Sequence, residues 1–134
     1  MLQPPPTDAR AAVQAWIDAF NRRELDTLCA LYAPGAVLWG TLATELITEP
    51  VALRGYFERA LGPALDTRVD LLDAHAQANG AMAIVSGRYR LRFRQGGTPR
   101  EALARYSFVL SQASQAGGGW LVHHHHSSLM PEAM

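Results

Sequence analysis

The stretch that decides the fold is WLVHHHHSSLMP, residues 120–131, close to the end of the 134-residue chain. Four consecutive histidines near a terminus often belong to an affinity tag. Here the tract continues the apolar run Trp120-Leu121-Val122, and a strand that stopped at Val122 would be too short to pair along its long neighbours. The stretch therefore predicts a final β-strand over 119–128 in which the histidines are native.

The histidines of this strand have three interpretations. Side chains alternate across a strand, so His124 and His126 share one face, which we expect to be the inner one, and His123 and His125 share the other. The inner pair is the candidate general acid or base. The same pair could bind Zn²⁺ with His75 as third ligand, or the histidines could be neutral hydrogen-bonding side chains. The last interpretation is the simplest, and we expect neither a metal nor a cofactor.

Three helices are predicted in the first 63 residues. The first follows Thr7, a suitable N-cap. It carries an apolar stripe at spacings of three and four residues, formed by Val13, Trp16, Ile17 and Phe20. The second runs over 25–32 and ends at Pro34-Gly35, and the third begins at Pro50.

Extended segments dominate the remainder of the chain. A short buried strand is predicted over 36–39. Two long runs, 66–78 and 81–94, flank Asn79-Gly80, a pair typical of a type I′ hairpin turn. Another strand over 102–111 precedes the histidine strand. Three helices with one early strand, followed by a four-strand antiparallel meander, indicate an α+β domain with its helices on one face of a curved sheet.

One of the long runs carries a row of arginines. Four of them alternate with apolar residues there: Arg88, Arg90, Arg92 and Arg94. The row is either a solvated strand face or an interface matched by acidic residues of a partner subunit.

Composition predicts one soluble domain over residues 1–134, with an extended lead-in over 1–6 and a tail over 129–134. Lys+Arg and Asp+Glu both number 12, so the formal net charge is zero and no binding to nucleic acid or anionic membrane is expected. The single Cys29 and a start that lacks the pattern of a signal peptide predict a cytoplasmic protein.

Several segments resemble one family. The run ALARYSFVL (102–110), then a loop and WLVHHHHSSLMP, is similar to the end of domains related to the association domain of calcium/calmodulin-dependent protein kinase II, within the nuclear-transport-factor-2-like or SnoaL-like superfamily. LYAPGAVLWGT (31–41) resembles the family's second helix and first strand, and VALRGYFERAL (51–61) resembles its third helix. The most specific likeness is a Trp-x-x-x-His-x-His-Ser-Ser pattern at Trp120, His124, His126, Ser127 and Ser128.

The resemblance implies a cystatin-like cone, in which three N-terminal helices pack on a strongly curved mixed or antiparallel sheet that encloses a pocket. It also implies homodimers formed through the sheet. Arg105, His124 and His126 would project into the pocket. Aromatic residues would line it, or serve simply as core: Trp16, Phe20, Tyr32, Trp39, Tyr56, Phe57 and Trp120.

Two functions fit this scaffold. The first is a pocket for an unknown small molecule, either a binding site or a lyase- or isomerase-type active site in which Arg105 holds a carboxylate. The second is a non-catalytic association module. Family members that act as isomerases or dehydratases use a carboxylate on or just after the first strand, where this chain has Trp39-Gly40-Thr41 and no acid. Whether the protein is an enzyme is therefore left open by the sequence.

Overall fold

A computed structural model describes residues 8–112 and 119–131. The lead-in over 1–6, Thr7, residues 113–118 of the loop before the last strand and residues 132–134 of the tail lie outside the described residues. The elements within the described ranges are α1 (Ala9–Asn21), α2 (Leu25–Ala30), β1 (Tyr32–Trp39), α3 (Pro50–Leu61), β2 (Arg68–Asn79), β3 (Met82–Gln95), β4 (Thr98–Gln112) and β5 (Trp120–Leu129).

Helix α1 follows the predicted apolar stripe, and its four stripe residues are all buried. The N-cap is Asp8 rather than Thr7, because the Asp8 carboxylate accepts hydrogen bonds from the backbone N–H groups of Arg10 and Ala11. At the other end, the Asn21 side chain donates to the carbonyl of Val69 and accepts from its N–H, which fixes α1 against β2. No helix among the described residues is both long and apolar enough to cross a membrane.

The second helix is shorter than predicted and the first strand is longer. Helix α2 ends at Ala30, and Tyr32 begins β1 instead of lying on the helix. Pro34-Gly35 therefore interrupts the strand and does not end the helix. Gly35 has a φ of 79°, a conformation that glycine adopts without strain, and the pairing of β1 with β5 is irregular between Tyr32 and Val37.

The sheet has five strands in the order β1-β5-β4-β3-β2. Strands β2 to β5 form the predicted antiparallel meander, and β1 adds to β5 in parallel. The α+β class and the mixed sheet are confirmed. Helix α1 lies against β2, β3 and β5, on the face of the sheet that carries the buried core residues.

The two hairpin turns of the meander differ in type. Between β2 and β3 only Gly80 has a positive φ, of 64°, so the predicted type I′ turn is wrong and the φ values match type II′. Between β3 and β4 both Gly96 and Gly97 have positive φ, of 56° and 82°, as a type I′ turn requires.

Candidate functional site

A β-bulge in β5 determines which histidines face the interior. Val109 of β4 pairs with His124, whereas the next residue, Leu110, pairs with Val122, so His123 is an extra residue in the ladder. A bulge of this kind reverses the alternation of side chains beyond it. Trp120 and Val122 face inward before the bulge, and His125 and Ser127 face inward after it.

The expectation that His124 and His126 project into the interior is therefore wrong. His125 is only 2% exposed, whereas His126 is exposed and His124 is half-buried on the opposite face. A strict alternation counted from Trp120 fails because of the single extra residue at His123.

His125 is the middle member of a buried hydrogen-bonded chain. Trp16 Nε1 donates to the hydroxyl of Tyr32 at 3.0 Å, and that hydroxyl lies 2.9 Å from His125 Nδ1. The other ring nitrogen, His125 Nε2, lies 3.3 Å from the Tyr89 hydroxyl. Near the Tyr89 hydroxyl, the hydroxyls of Thr41 and Ser127 are hydrogen-bonded to each other.

The donors of this chain assign the tautomer of His125. The Trp16 indole N–H can only donate, so the Tyr32 hydroxyl accepts its hydrogen bond. The same hydroxyl donates its own hydrogen bond to His125 Nδ1. The imidazole then carries its hydrogen on Nε2 and donates to Tyr89. With this assignment each group in the chain has a partner, and every buried side-chain nitrogen or oxygen within the described residues is hydrogen-bonded.

Aromatic rings occupy the space around the chain. The rings of His125 and Phe108 are stacked with centroids 3.9 Å apart, and Trp16 stacks on Tyr89 at 5.9 Å. Trp16 also contacts Phe20 and Phe57 at 5.1 Å and 6.3 Å. The interior between α1 and the sheet is thus packed with side chains and forms the core of the protein.

Burial keeps this interior uncharged. Desolvation, with a smaller contribution from the neighbouring His124 and His126, lowers the pKa of His125 to about 3. Desolvation also raises the pKa values of the Tyr32 and Tyr89 hydroxyls well above their usual range. None of these groups exchanges protons readily near neutral pH. The hydrogen-bonded chain of side chains is therefore better suited to holding the core in place than to acid–base catalysis.

The predicted aromatic lining is divided by the structure. Five of its members are buried in the core: Trp16, Phe20, Tyr32, Phe57 and Trp120. Tyr56 is half-buried, and its ring packs over Gly40 and against Phe57 at 5.4 Å. Trp39 is also half-buried but pairs with the exposed His126, so it lies on the outer face of the sheet and not in the interior.

Arg105 and His126 do lie together, but on the outer face of the sheet. They line an open concavity of about 370 Å³ that also includes three serines, Ser86, Ser107 and Ser128. We call it the serine groove. Arg105 Nε donates to Ser128 Oγ at 3.2 Å, and the hydroxyls of Ser86 and Ser107 are 2.9 Å apart. The expectation that Arg105 faces the interior is wrong, because its neighbours Ala104 and Tyr106 take the inward positions.

Two members of the arginine row are neutralised within the chain. Arg88 donates to a single oxygen of Asp73, Oδ2, through Nε at 2.9 Å and Nη2 at 2.7 Å. Arg92 donates to both oxygens of Asp70, from Nε to Oδ2 at 2.9 Å and from Nη2 to Oδ1 at 3.0 Å. The second interpretation of the row expected matching acids from a partner subunit. The acids that pair with Arg88 and Arg92 come instead from the adjacent strand β2. The Arg88 guanidinium lowers the pKa of the Asp73 carboxyl.

The alternative metal site does not form. His75 pairs with Ser86 of β3, Ser86 with Ser107 of β4, and Ser107 with His126 of β5. Three strand spacings therefore separate His75 from His126, about 14 Å. Over the described ranges no group of three or more His, Cys, Asp or Glu side chains is arranged to hold a metal ion.

The residues that sequence reasoning missed are His125, Tyr89 and Ser127. Tyr89 had a signal, since it alternates with the arginines of β3 as an apolar-face residue. His125 had none, because four identical side chains show no contrast between the faces of a strand.

The family follows from comparison with known sequences and structures. A model of the SnoaL-like domain matches residues 9–132. The chain belongs to the SnoaL-like domain family. Among curated protein sequences none matches this SnoaL-like chain significantly.

Solved structures with the same fold include a protein from Xanthomonas campestris described as a calcium/calmodulin-dependent protein kinase II association domain. It is 24% identical, with a TM-score of 0.80, over 99% of this chain and 100% of that one. A protein with a cystatin-like fold from Caulobacter vibrioides is 14% identical, with a TM-score of 0.77, over 92% and 87%. A nuclear-transport-factor-2-like protein from Streptomyces avermitilis, described as a dehydratase, is 16% identical, with a TM-score of 0.75, over 90% and 92%. These likenesses confirm the cystatin-like fold of the SnoaL-like chain.

Proposed function

We propose that this SnoaL-like protein binds a small carboxylate in the serine groove, with Arg105 as the anchor for the negative charge. The supporting observation is that Arg105 forms no ion pair with any carboxylate of the described residues. Arg88 pairs directly across from Arg105, and Asp73 neutralises Arg88. A guanidinium without an acid partner, in an open concavity, can receive both oxygens of a carboxylate.

The other polar groups of the serine groove suit the remainder of such a ligand. The Ser86 and Ser107 hydroxyls can each donate or accept a hydrogen bond. His126 is exposed, so its imidazole can exchange a proton with a bound molecule. Lyase or isomerase chemistry would use His126 to move a proton at the carbon next to the carboxylate, with Arg105 holding the substrate. The fold shared with a protein described as a dehydratase is compatible with this extension.

Carboxylate binding can be tested by thermal unfolding with benzoate, lactate and succinate, each compared with sodium chloride at equal ionic strength. A ligand present at 100 times its Kd stabilises the folded state by about 2.7 kcal/mol, which a melting curve detects. We expect at least one carboxylate to raise the Tm of the wild type, and Arg105→Gln to abolish that shift. Arg59→Gln removes an exposed arginine of α3 and should leave the shift intact. No shift with any carboxylate, or equal shifts in wild type and Arg105→Gln, would exclude the groove as the site.

A second candidate function is association of two copies through the outer face. The apolar side chains of Met82 and Ile84 on that face are 42% and 40% exposed. Burying such a surface against a second copy would remove apolar area from water. Two sheets packed through their outer faces would also enclose the serine groove, so the two functions are compatible.

The assembly proposal is tested by size-exclusion chromatography with light scattering over a range of protein concentrations. We expect a dimer that dissociates when Ile84 is replaced by Lys, because the charge would be buried in the interface. Thr44→Lys places the same charge in the exposed loop after β1 and should leave the dimer intact. A wild-type chain that stays monomeric at every concentration would refute association.

A further inference from the structure

A second open concavity, of about 350 Å³, lies where β2 begins and where β3 turns into β4. We call it the arginine cleft, because Arg68, Arg92, Arg94 and Arg100 all line it. It shares no lining residue with the serine groove. The cleft is therefore a separate feature of the molecule, and neither proposal above uses it.

The cleft carries an excess of positive charge. Its four arginines face two acidic lining residues, Asp66 and Glu101. Asp66 is already paired with Arg23, at 2.6 Å, and so contributes little negative charge to a ligand site. Arg68 and Arg92 stand directly opposite each other on β2 and β3, an arrangement of like charges that disfavours folding.

Three of the cleft arginines have charge available for a ligand. Arg92 is bound to Asp70 through two hydrogen bonds. Arg68 and Arg94 each donate one hydrogen bond to a backbone carbonyl, of Asn21 at 3.1 Å and Gly97 at 3.3 Å, which leaves most of their N–H groups unused. Within the part of the chain that the structure describes, Arg68, Arg94 and Arg100 form no ion pair.

We propose that the arginine cleft binds a phosphate group. A carboxylate carries one negative charge and two oxygens, whereas a phosphate carries nearly two charges and can accept from several guanidinium groups at once. Pro99 and the half-buried Phe93 also line the cleft, and their apolar surfaces suit the organic part of a phosphate ester. The expected ligand is therefore a small organic phosphate, with inorganic phosphate as a weaker binder.

The test is an NMR titration of the full chain with inorganic phosphate and, separately, phenyl phosphate, following the arginine Nε–Hε signals at constant ionic strength. We expect saturable shifts at Arg94 and Arg100, with phenyl phosphate binding more tightly than inorganic phosphate. The double variant Arg94→Gln, Arg100→Gln should bind phenyl phosphate at least about tenfold more weakly, a loss of about 1.4 kcal/mol or more in binding free energy. Arg59→Gln should bind like the wild type.

Two results would overturn the phosphate site. One is a response to sodium chloride equal to the response to phosphate at matched ionic strength, since this would be general screening and not binding. The other is saturable phosphate binding that the double variant retains in full. Equal affinity for the two probes would also count against the organic ligand, because it would show that Phe93 and Pro99 contribute nothing. Arg105 signals report on the serine groove in the same spectra, so failure of one site is distinguishable from failure of the other.

Discussion

The two faces of the sheet place adjacent histidines of β5 in opposite environments. His125 is buried against Phe108, hydrogen-bonded at both ring nitrogens and held neutral. His126, one residue later, is exposed in an open groove beside Arg105. The inner face satisfies its polar groups among themselves, whereas the outer face leaves hydroxyl, imidazole and guanidinium groups accessible.

This difference separates stability from function within one strand. A buried polar network that is fully satisfied makes the core specific, and removing one member leaves the others unpaired. An exposed charge that has no partner contributes little to folding stability. Variants on the two faces should therefore differ in the size of their effect on stability, and at Arg105 in its sign.

The largest effect is expected from His125→Ala. The change creates a cavity beside Phe108 and leaves the Tyr32 hydroxyl without its acceptor, so the free energy of unfolding should fall by about 3–5 kcal/mol. Urea denaturation followed by circular dichroism measures it. His126→Ala is the matched control and should change stability by no more than about 0.5 kcal/mol.

His125→Phe separates packing from hydrogen bonding at the same position. The phenyl ring fills the space of the imidazole but cannot accept the hydrogen bond from the Tyr32 hydroxyl. We expect an intermediate loss of stability. If His125→Ala lowers the free energy of unfolding no more than His126→Ala does, the buried hydrogen-bonded side chains do not stabilise the fold. The contrast between the two faces would then be wrong.

The next largest effect is the dependence of stability on pH. The pKa of His125 is about 3 in the folded chain and about 6.5 in the unfolded one, so the unfolded chain binds more protons between these values. Stability is therefore complete above pH 6.5 and falls as the pH is lowered through this window. The loss should approach about 1.4 kcal/mol per pH unit, or about 3 kcal/mol by pH 4.5.

Urea midpoints measured between pH 7 and pH 4.5 test this dependence, and His125→Phe should flatten the curve. The window avoids the range in which carboxylates with lowered pKa values, such as Asp66 and Asp73, become protonated. An unchanged slope in His125→Phe would assign the pH dependence to groups other than His125.

The inner face could be predicted from sequence where polar and apolar residues contrast. The stripe of α1 and the positions of Tyr89 and Leu91 along β3 identify buried residues correctly, and Phe93, the next apolar residue in that alternation, is half-buried. The Asn79-Gly80 pair located the first hairpin, although the predicted turn type was wrong. The periodicities of helix and strand are local properties, so they are visible in the sequence itself.

The candidate site could not be predicted as well, because it depends on non-local pairing. The bulge at His123 exists where β5 pairs with both β4 and β1, and nothing in a run of four histidines marks the extra residue. Arg105 and His126 were expected together and are together, but on the outer face: the bulge turns His126 outward, and Arg105 lies between the inward-facing Ala104 and Tyr106. The early start of β1 at Tyr32 likewise depends on its pairing with β5.

A smaller effect is expected from Gly87→Ala, at a position where β2 crowds β3. A Cβ atom at residue 87 would overlap the backbone carbonyl of Asp73, which also accepts a hydrogen bond from Tyr106 at 2.8 Å. The strands would have to separate locally, and the free energy of unfolding should fall by about 2 kcal/mol. Gly55→Ala is the control, since its Cβ would meet open space on α3 and should stabilise by about 0.5–1 kcal/mol. Equal shifts in the two variants would show that the close approach of β2 does not constrain β3 at Gly87.

The smallest effect, and one of opposite sign, is expected from Arg105→Gln without ligand. Arg105 stands directly opposite Arg88, so removing its charge relieves a like-charge contact and should stabilise the fold by about 0.2–0.5 kcal/mol at low salt. The gain should vanish near 1 M salt, where the screening length is about 3 Å. Chemical denaturation of wild type, Arg105→Gln and Arg59→Gln at both salt concentrations measures it. A residue that weakens the empty protein yet is required for carboxylate binding would mark the outer face as functional. If Arg105→Gln instead destabilises the protein at low salt, the guanidinium is structural and the serine groove loses its anchor.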